Sequence, residues 1–225
     1  MSPAVIEVLL VDDHAVVREG YRRLLESTGQ IRVCGEAADA ETACRLFAAQ
    51  RFDVVVMDIT LPGASGLEGM RRMLARDAGA RVLIFSMHEE AVFAARALQF
   101  GAMGYVTKSS APDVLVDAVR TVARGGRYLA AGVAAALARV PLAPDLRAAL
   151  SEREFEVLQL LVNGRTLAEV AELLHLSGKT VANYQTSLRE KLGADNAFQL
   201  MRLAIEHGLL VLPRAAGGTT DSESF

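Results

Sequence analysis

Apolar positions follow two different rhythms along this chain. Through the first 125 residues, short unbroken apolar runs alternate five times with segments whose apolar positions fall three and four apart, such as Val16-Val17, Tyr21 and Leu24-Leu25. Unbroken aliphatic runs are the mark of parallel strands buried on both faces, and the wider spacing marks amphipathic helices. The pattern predicts strands at Ile6–Val11, Ile31–Ala37, Val54–Asp58, Val82–Ser86 and Gly104–Thr107. Such alternation gives an α/β fold, a parallel sheet covered by helices on both faces. Five strands with short connections fit the flavodoxin-like order 2-1-3-4-5, in which the first and third strands are neighbours.

Past residue 125 the rhythm changes. Gly125-Gly126 stops the last helix of the first unit, and an alanine-rich piece, Ala130–Ala138, runs into Pro141 and Pro144. We expect a first domain over 1–126, a linker over 127–147 with one or two helical turns, and an all-α four-helix domain over 148–212. Its helices are expected near 152–163, 167–174, 177–192 and 196–207. Ser151 with Glu154 and Thr166 with Glu169 have the spacing of capping boxes, and Asn196 with Gln199 is a third candidate. Gly164 and Gly193 stand where left-handed helix stops belong. Residues 213–225, rich in Gly, Ser and Thr, are expected to be disordered.

Composition narrows the class. A hydrophobic content of 52% with 23% charged residues describes an ordinary globular protein, and no apolar stretch reaches the ~18 residues of a membrane span. Two cysteines, Cys34 and Cys44, are too few for a disulfide framework and are expected to be packing residues in a reducing cytoplasm. Net charge is −3, and the first 125 residues and residues 148–212 each carry two more acidic than basic side chains. A DNA-binding reading therefore rests on where the cations sit, since their sum argues against it.

The predicted strands end in chemistry. Ligand sites in open α/β sheets lie at the carboxyl ends of the strands. Here those ends carry Asp12 and Asp13, Asp58, Ser86 and Lys108. Three clustered carboxylates repel one another, and a bound Mg²⁺ removes that penalty. Asp13 and Asp58 are the expected direct ligands, Asp12 acts through water, and the Thr60 carbonyl completes the protein share. With Asp58 as nucleophile the chemistry is phosphoryl transfer, Lys108 pairing with phosphoryl oxygens and Ser86 hydrogen-bonding to one. A haloacid-dehalogenase-type hydrolase needs an acid/base Asp two residues after the nucleophile, where Thr60 stands. A dinucleotide-binding enzyme needs a Gly-rich turn where Asp12-Asp13-His14 stand.

Residues 1–125 resemble the receiver domain of two-component response regulators, with its CheY-like fold. The match runs through Val11-Asp12-Asp13-His14, Met57-Asp58-Ile59, Pro62-Gly63 with Ser65-Gly66-Leu67, Ser86, and Tyr105-Val106-Thr107-Lys108. The resemblance implies that Asp58 accepts phosphate from a sensor histidine kinase, and that Ser86 and Tyr105 form a switch pair. Thr60 and His88, two residues beyond Asp58 and Ser86, are expected to overhang the phosphoryl group and tune dephosphorylation. His14 and His207 are read as a helix start and a helix end.

In the second domain, Glu169–Leu174, His175-Leu176-Ser177 and Lys179–Leu192 have the layout of a helix-turn-helix. At about 100° per residue, Val181, Leu188 and Leu192 share one face, and Lys179, Asn183 and Thr186 lie opposite. Ala182 and Ser187 flank that face, with Arg189 and Lys191 at its borders. Thr180 and Tyr184 complete the candidate DNA contacts, Tyr184 either packing on the domain or touching a phosphate. The segment Leu150–Leu210 resembles the LuxR-type helix-turn-helix of the NarL/FixJ class, through Leu150–Leu158, Leu176-Ser177-Gly178-Lys179-Thr180-Val181 and Arg189–Gly193. Ala182 and Tyr184 depart from the family, which often has Lys or Arg and then His there. Fewer groove-facing cations should weaken non-specific affinity and its salt dependence.

Together these features predict a cytoplasmic, non-enzymatic transcription regulator controlled by phosphorylation. Its partners would be a sensor kinase, promoter DNA, a second copy of the chain and RNA polymerase, with no membrane. Phe198, Met201 and Ile205 form a stripe that serves either dimer contact or core packing. The rival reading is a phosphorylation-independent regulator or protein-interaction module with a vestigial acidic site.

Overall fold

Strand burial sets the architecture. Every residue of β3 (Val54–Met57), β4 (Val82–Ser86) and β5 (Gly104–Thr107) is buried, as central parallel strands must be. β1 (Ile6–Val11) is buried from Val8 onward, whereas β2 (Ile31–Ala37) alternates over its first four residues because it is an edge strand. The alternation leaves Cys34 exposed, so the expectation that it packs is corrected; Cys44 is half-buried. The computed structural model describes residues 5–137 and 150–196, with Gln199, Leu200, Arg202 and Leu203. The expected disordered tail, His207, and most of the fourth helix with its Phe198-Met201-Ile205 stripe lie outside the described residues, as does the linker from 138 onward.

The sheet order is β2-β1-β3-β4-β5-β6, all parallel. The order of the first five matches the expectation, but the sheet has six strands, not five. Tyr128–Leu129 forms β6 beside β5, with Gly104 opposite Tyr128 and Tyr105 opposite Leu129. A β-carbon on Gly104 would lie 2.5 Å from the Tyr128 carbonyl oxygen, so glycine is what lets the strand approach. Ala131–Leu137 then forms a helix, α6, with Val133 buried. The segment 128–137 therefore belongs to the first domain and not to a linker. A two-residue strand has no apolar run to announce it.

Side-chain alternation divides the core between the two faces of the sheet. Val8, Leu10, Val56, Leu83 and Val106 pack with α1 (Ala15–Glu26) and α5 (Pro112–Ala123). Leu9, Val11, Val55, Met57, Ile84 and Tyr105 pack with α2 (Ala40–Ala49), α3 (Gly66–Arg76) and α4 (Ala91–Gln99). This second core runs on into the C-terminal helices α7 (Glu152–Val162), α8 (Leu167–Leu173) and α9 (Gly178–Leu192), through Phe155, Leu158, Val170, Val181 and Leu188. Both capping boxes form as expected, and Gly164 and Gly193 take positive φ. At the third, Asn196 accepts from the Gln199 amide at 2.9 Å, while Gln199 reaches back to the amide of Asp195.

Candidate functional site: an acidic pocket under a helical roof

Four strand ends bring the predicted residues together. Lys108 Nζ donates to Asp12 Oδ2 at 2.6 Å and to Asp58 Oδ2 at 2.5 Å, all three groups being almost fully buried. Burial works against the ammonium, but Asp58 and Asp12 outweigh it and hold Lys108 above its ordinary pKa. Burial pushes the Asp58 carboxyl up, with Lys108 pulling the other way. Asp13 lies beside this pair. Its Oδ1 is 2.7 Å from His14 Nδ1 but accepts no well-directed hydrogen bond, and is buried. One lysine against three carboxylates leaves the cluster net negative.

The loop after β3 is shaped around Asp58. The Gly66 amide donates to the Ile59 carbonyl at 2.8 Å, and a β-carbon on Gly66 would lie 1.7 Å from the Asp58 carbonyl oxygen. Only glycine fits there. The Thr60 amide reaches Asp58 Oδ1 at 3.3 Å, and Thr60 Oγ1 lies 3.1 Å from His88 Nε2. His88 stacks on Phe93 at 4.0 Å between ring centroids, and burial pushes its pKa below the ordinary histidine value. Ser86 is fully buried, with its hydroxyl accepting from the His88 amide at 3.3 Å. Tyr105 is packed inward, its hydroxyl donating to the His88 carbonyl at 2.8 Å, and burial pushes its pKa up.

An oxygen-rich, net-negative cluster with an under-used buried carboxylate oxygen is the donor set that a hard divalent cation requires. Asp12, Asp13, Asp58 and the Thr60 carbonyl are the groups that would hold it, and the residues present fit Mg²⁺.

The helical domain closes over this pocket. A cavity of about 750 Å³ separates the acidic site from α8, lined by Tyr21, Asp58, His88, Leu160, Leu173 and His175 among others. Several contacts among the described residues hold the roof. Glu152 accepts from Arg96 at 2.8 and 2.9 Å and from Arg71 at 2.7 Å. Arg153 donates to the carbonyls of Leu61 and Gly63 at 2.7 and 2.8 Å. Phe155 meets Phe93 edge-on at 5.5 Å. His175 Nε2 lies 3.0 Å from Asp13 Oδ2.

None of these inter-domain contacts was foreseen. The signal for one was present: Arg96 is the single charge in the apolar stretch Ala91–Phe100, and a lone charge there demands a buried partner. No sequence signal marked Glu152 as that partner, or His175 as a neighbour of Asp13.

On α9, the groove-facing candidates Lys179, Asn183, Thr186, Arg189 and Lys191 are exposed, and Thr180, Ala182, Tyr184 and Ser187 are half-buried. Tyr184 packs against the domain core. Five of the set have hydrogen-bond partners within the domain, among them Thr180, whose hydroxyl lies 2.8 Å from that of Ser177, and Thr186, which donates to the Ala182 carbonyl at 3.1 Å. Glu154 takes Ser187 at 2.6 Å and Lys191 at 2.8 Å, and Arg189 donates to the Asp195 carbonyl. Burial would raise the Glu154 carboxyl, yet the hydrogen bonds of Lys191, Ser187 and Ser151 bring it down to about 2.

Comparison with known proteins agrees with both halves. Residues 8–120 match the family model of the response regulator receiver domain, and residues 148–204 that of bacterial regulatory proteins of the luxR family. Response regulator UvrY of Escherichia coli K12 is 39% identical over 208 residues, covering 91% of this chain and 95% of UvrY. A two-component response regulator of the LuxR family from Aurantimonas sp. SI85-9A1 is 47% identical over 60% of this chain and 96% of its own, with a TM-score of 0.59. RcsB from Salmonella enterica serovar Typhimurium, solved bound to promoter rprA in the presence of phosphomimetic BeF3⁻, is 25% identical over 88% of this chain and 97% of its own, at a TM-score of 0.56.

Proposed function

The chain belongs to the two-component response regulators with a LuxR-type DNA-binding domain, and from that premise we propose that it is a transcription regulator switched by phosphorylation of Asp58. The observation that carries the reading is Lys108 bridging Asp12 and Asp58 beside Asp13, whose buried Oδ1 accepts no well-directed hydrogen bond. An Asp58 oxygen attacks the phosphorus as the donor's bond to it breaks, and the donor leaves with the electron pair. Lys108 then pairs with the transferred oxygens in place of the carboxylate, and the Ser86 hydroxyl donates to one of them. Mg²⁺, when bound, supplies charge neutralisation to the transferring group. Asp13, Asp58 and the Thr60 carbonyl would hold it, with Asp12 acting through water. The donor is a sensor histidine kinase, and the chain itself turns over no substrate beyond its own acyl phosphate.

Ser86 and Tyr105 are the switch pair in this reading, and His88, bonded to both, couples them to α4. The output is promoter DNA. Lys179, Thr180, Ala182, Asn183, Thr186 and Ser187 face the groove, and Tyr184, Arg189 and Lys191 stand at its edges. A single helix-turn-helix reads a short half-site, so we propose a two-fold dimer on a roughly palindromic site, acting with RNA polymerase in the cytoplasm. Among the described residues no helix is long and apolar enough to cross a membrane.

Incubation with acetyl phosphate and Mg²⁺, followed by intact-mass spectrometry, tests the reading. Wild type should gain one phosphoryl group and Asp58→Asn none. A wild type that stays unmodified with kinase as well as acetyl phosphate would instead favour a regulator with a vestigial acidic site.

The Thr60–His88 pair makes a second prediction. Its hydrogen bond lies beside Asp58, where a water must approach to hydrolyse the acyl phosphate. Thr60→Ala and His88→Ala should each change the lifetime of phospho-Asp58, while phosphorylation still occurs. Unchanged dephosphorylation rates in both variants would remove these residues from any tuning role.

A further inference from the structure

We propose that Mg²⁺ and the DNA-binding domain compete for one side chain, Asp13, which His175 occupies whenever the two domains are docked. The inference rests on the receiver reading of the acidic site and adds to it a contact made by the other domain. Asp12 and Asp58 share Lys108, whereas Asp13 receives no lysine. Its Oδ2 instead meets His175 Nε2 at 3.0 Å, and its Oδ1 lies 2.7 Å from His14 Nδ1. A directly ligated Mg²⁺ needs a carboxylate oxygen at about 2.1 Å and a shell of oxygens around it. An imidazole on either side of Asp13 stands in that shell, and the one from the helical domain leaves only if the roof moves.

His175 is presented to the receiver by its backbone. It is the one non-glycine residue with positive φ among the described residues, at 52°. A left-handed position after a helix is the natural place for glycine, and a β-carbon there is strained. Packing does not hold the side chain, which is 43% exposed. Its neighbours are Asp13 and, edge-on at 6.4 Å, the His14 ring. Two residues on, Ser177 caps α9, its hydroxyl accepting from the Thr180 amide at 3.1 Å. The turn that touches the cation site is thus the turn that starts the recognition helix.

Competition for one ligand is reciprocal. Whatever factor docking takes from Mg²⁺ affinity, Mg²⁺ takes from docking. Divalent cation would then prepare the chain for phosphoryl transfer and loosen the roof in a single event, before any phosphate arrives.

The test uses the full chain and Mg²⁺ alone, comparing wild type with His175→Gly. Glycine suits the left-handed turn, so the variant loses the imidazole without losing the fold. Equilibrium Mg²⁺ titration is expected to show binding about fivefold tighter in the variant. Hydrogen–deuterium exchange of the turn 174–177 should rise with Mg²⁺ in wild type and be insensitive to it in the variant. Equal affinities, with a turn indifferent to Mg²⁺ in wild type, would overturn the competition and leave the receiver reading standing. Absence of Mg²⁺ binding in both proteins, together with no acyl phosphate at Asp58, would remove the receiver reading and the competition with it.

Discussion

Glu152→Ala is expected to shift the chain from docked to undocked by about a hundredfold, and to raise DNA affinity in the absence of phosphate. Glu152 and Arg96 are both almost completely buried where α7 meets α4. The Arg96 guanidinium bonds Glu152 through two nitrogens, reaches the Leu150 carbonyl at 2.6 Å and lies 4.2 Å over the Phe155 ring. Burial works to lower its pKa, and Glu152 opposes that effect. Removing one partner of a buried ion pair costs about 3–5 kcal/mol, because the other charge stays in a low dielectric. Undocking returns Arg96 to water, so that cost falls on the docked form alone. About 3 kcal/mol is roughly two powers of ten in the equilibrium.

Small-angle scattering of unphosphorylated Glu152→Ala should accordingly show a larger radius of gyration, with unchanged helical circular dichroism. Arg71→Ala is the control. Arg71 bonds the same carboxylate at 2.7 Å but is 57% exposed, and such a pair is worth less than about 1 kcal/mol. A compact Glu152→Ala would mean that the aromatic and carbonyl contacts hold the roof without the ion pair.

These energetics lie at a junction the sequence does not describe, and the reason is physical. Strand positions were legible because buried parallel strands must be continuous apolar runs. Residues just past their ends must then fall at one edge, so Asp12, Asp58, Ser86 and Lys108 meet as expected. The caps of α7 and α8 were legible because they are local, each hydrogen bond spanning three residues. β6 was not, because Tyr128-Leu129 carries too few residues for a periodic signal and gains its order from the edge of β5. The inter-domain contacts were hidden for another reason. They pair residues as far apart as Asp13 and His175, and no period or spacing encodes such a meeting. What a sequence does announce is the unpaired need, as with Arg96 in an apolar helix. The complementary group has to be found in space.

Docking should weaken as pH rises from about 5 to about 7, and Glu156→Gln should remove most of that dependence. Glu156 is fully buried between α7 and the receiver, with Arg153 Nη1 at 2.5 Å from its Oε2. The network is incompletely satisfied, since Glu156 Oε1 and Arg153 Nε are both buried without hydrogen-bond partners. Burial pushes the carboxyl up to about 7, against the pull of Arg153 and of Ser65 on the receiver side. An undocked Glu156 would return towards its ordinary value of 4.5. The docked form therefore holds the proton more tightly between these two values. Below about 4.5 both forms are protonated and no penalty exists; above about 7 both are ionised and the docked form carries the whole of it. At about 1.4 kcal/mol per pKa unit, the penalty is roughly 3 kcal/mol. Scattering or DNA affinity followed from pH 5 to 8 should show wild type opening as pH rises, and Glu156→Gln changing far less. A wild-type profile that is flat, or that closes with rising pH, would mean that the carboxylate is stabilised at the seam and that Arg153, rather than burial, governs its charge.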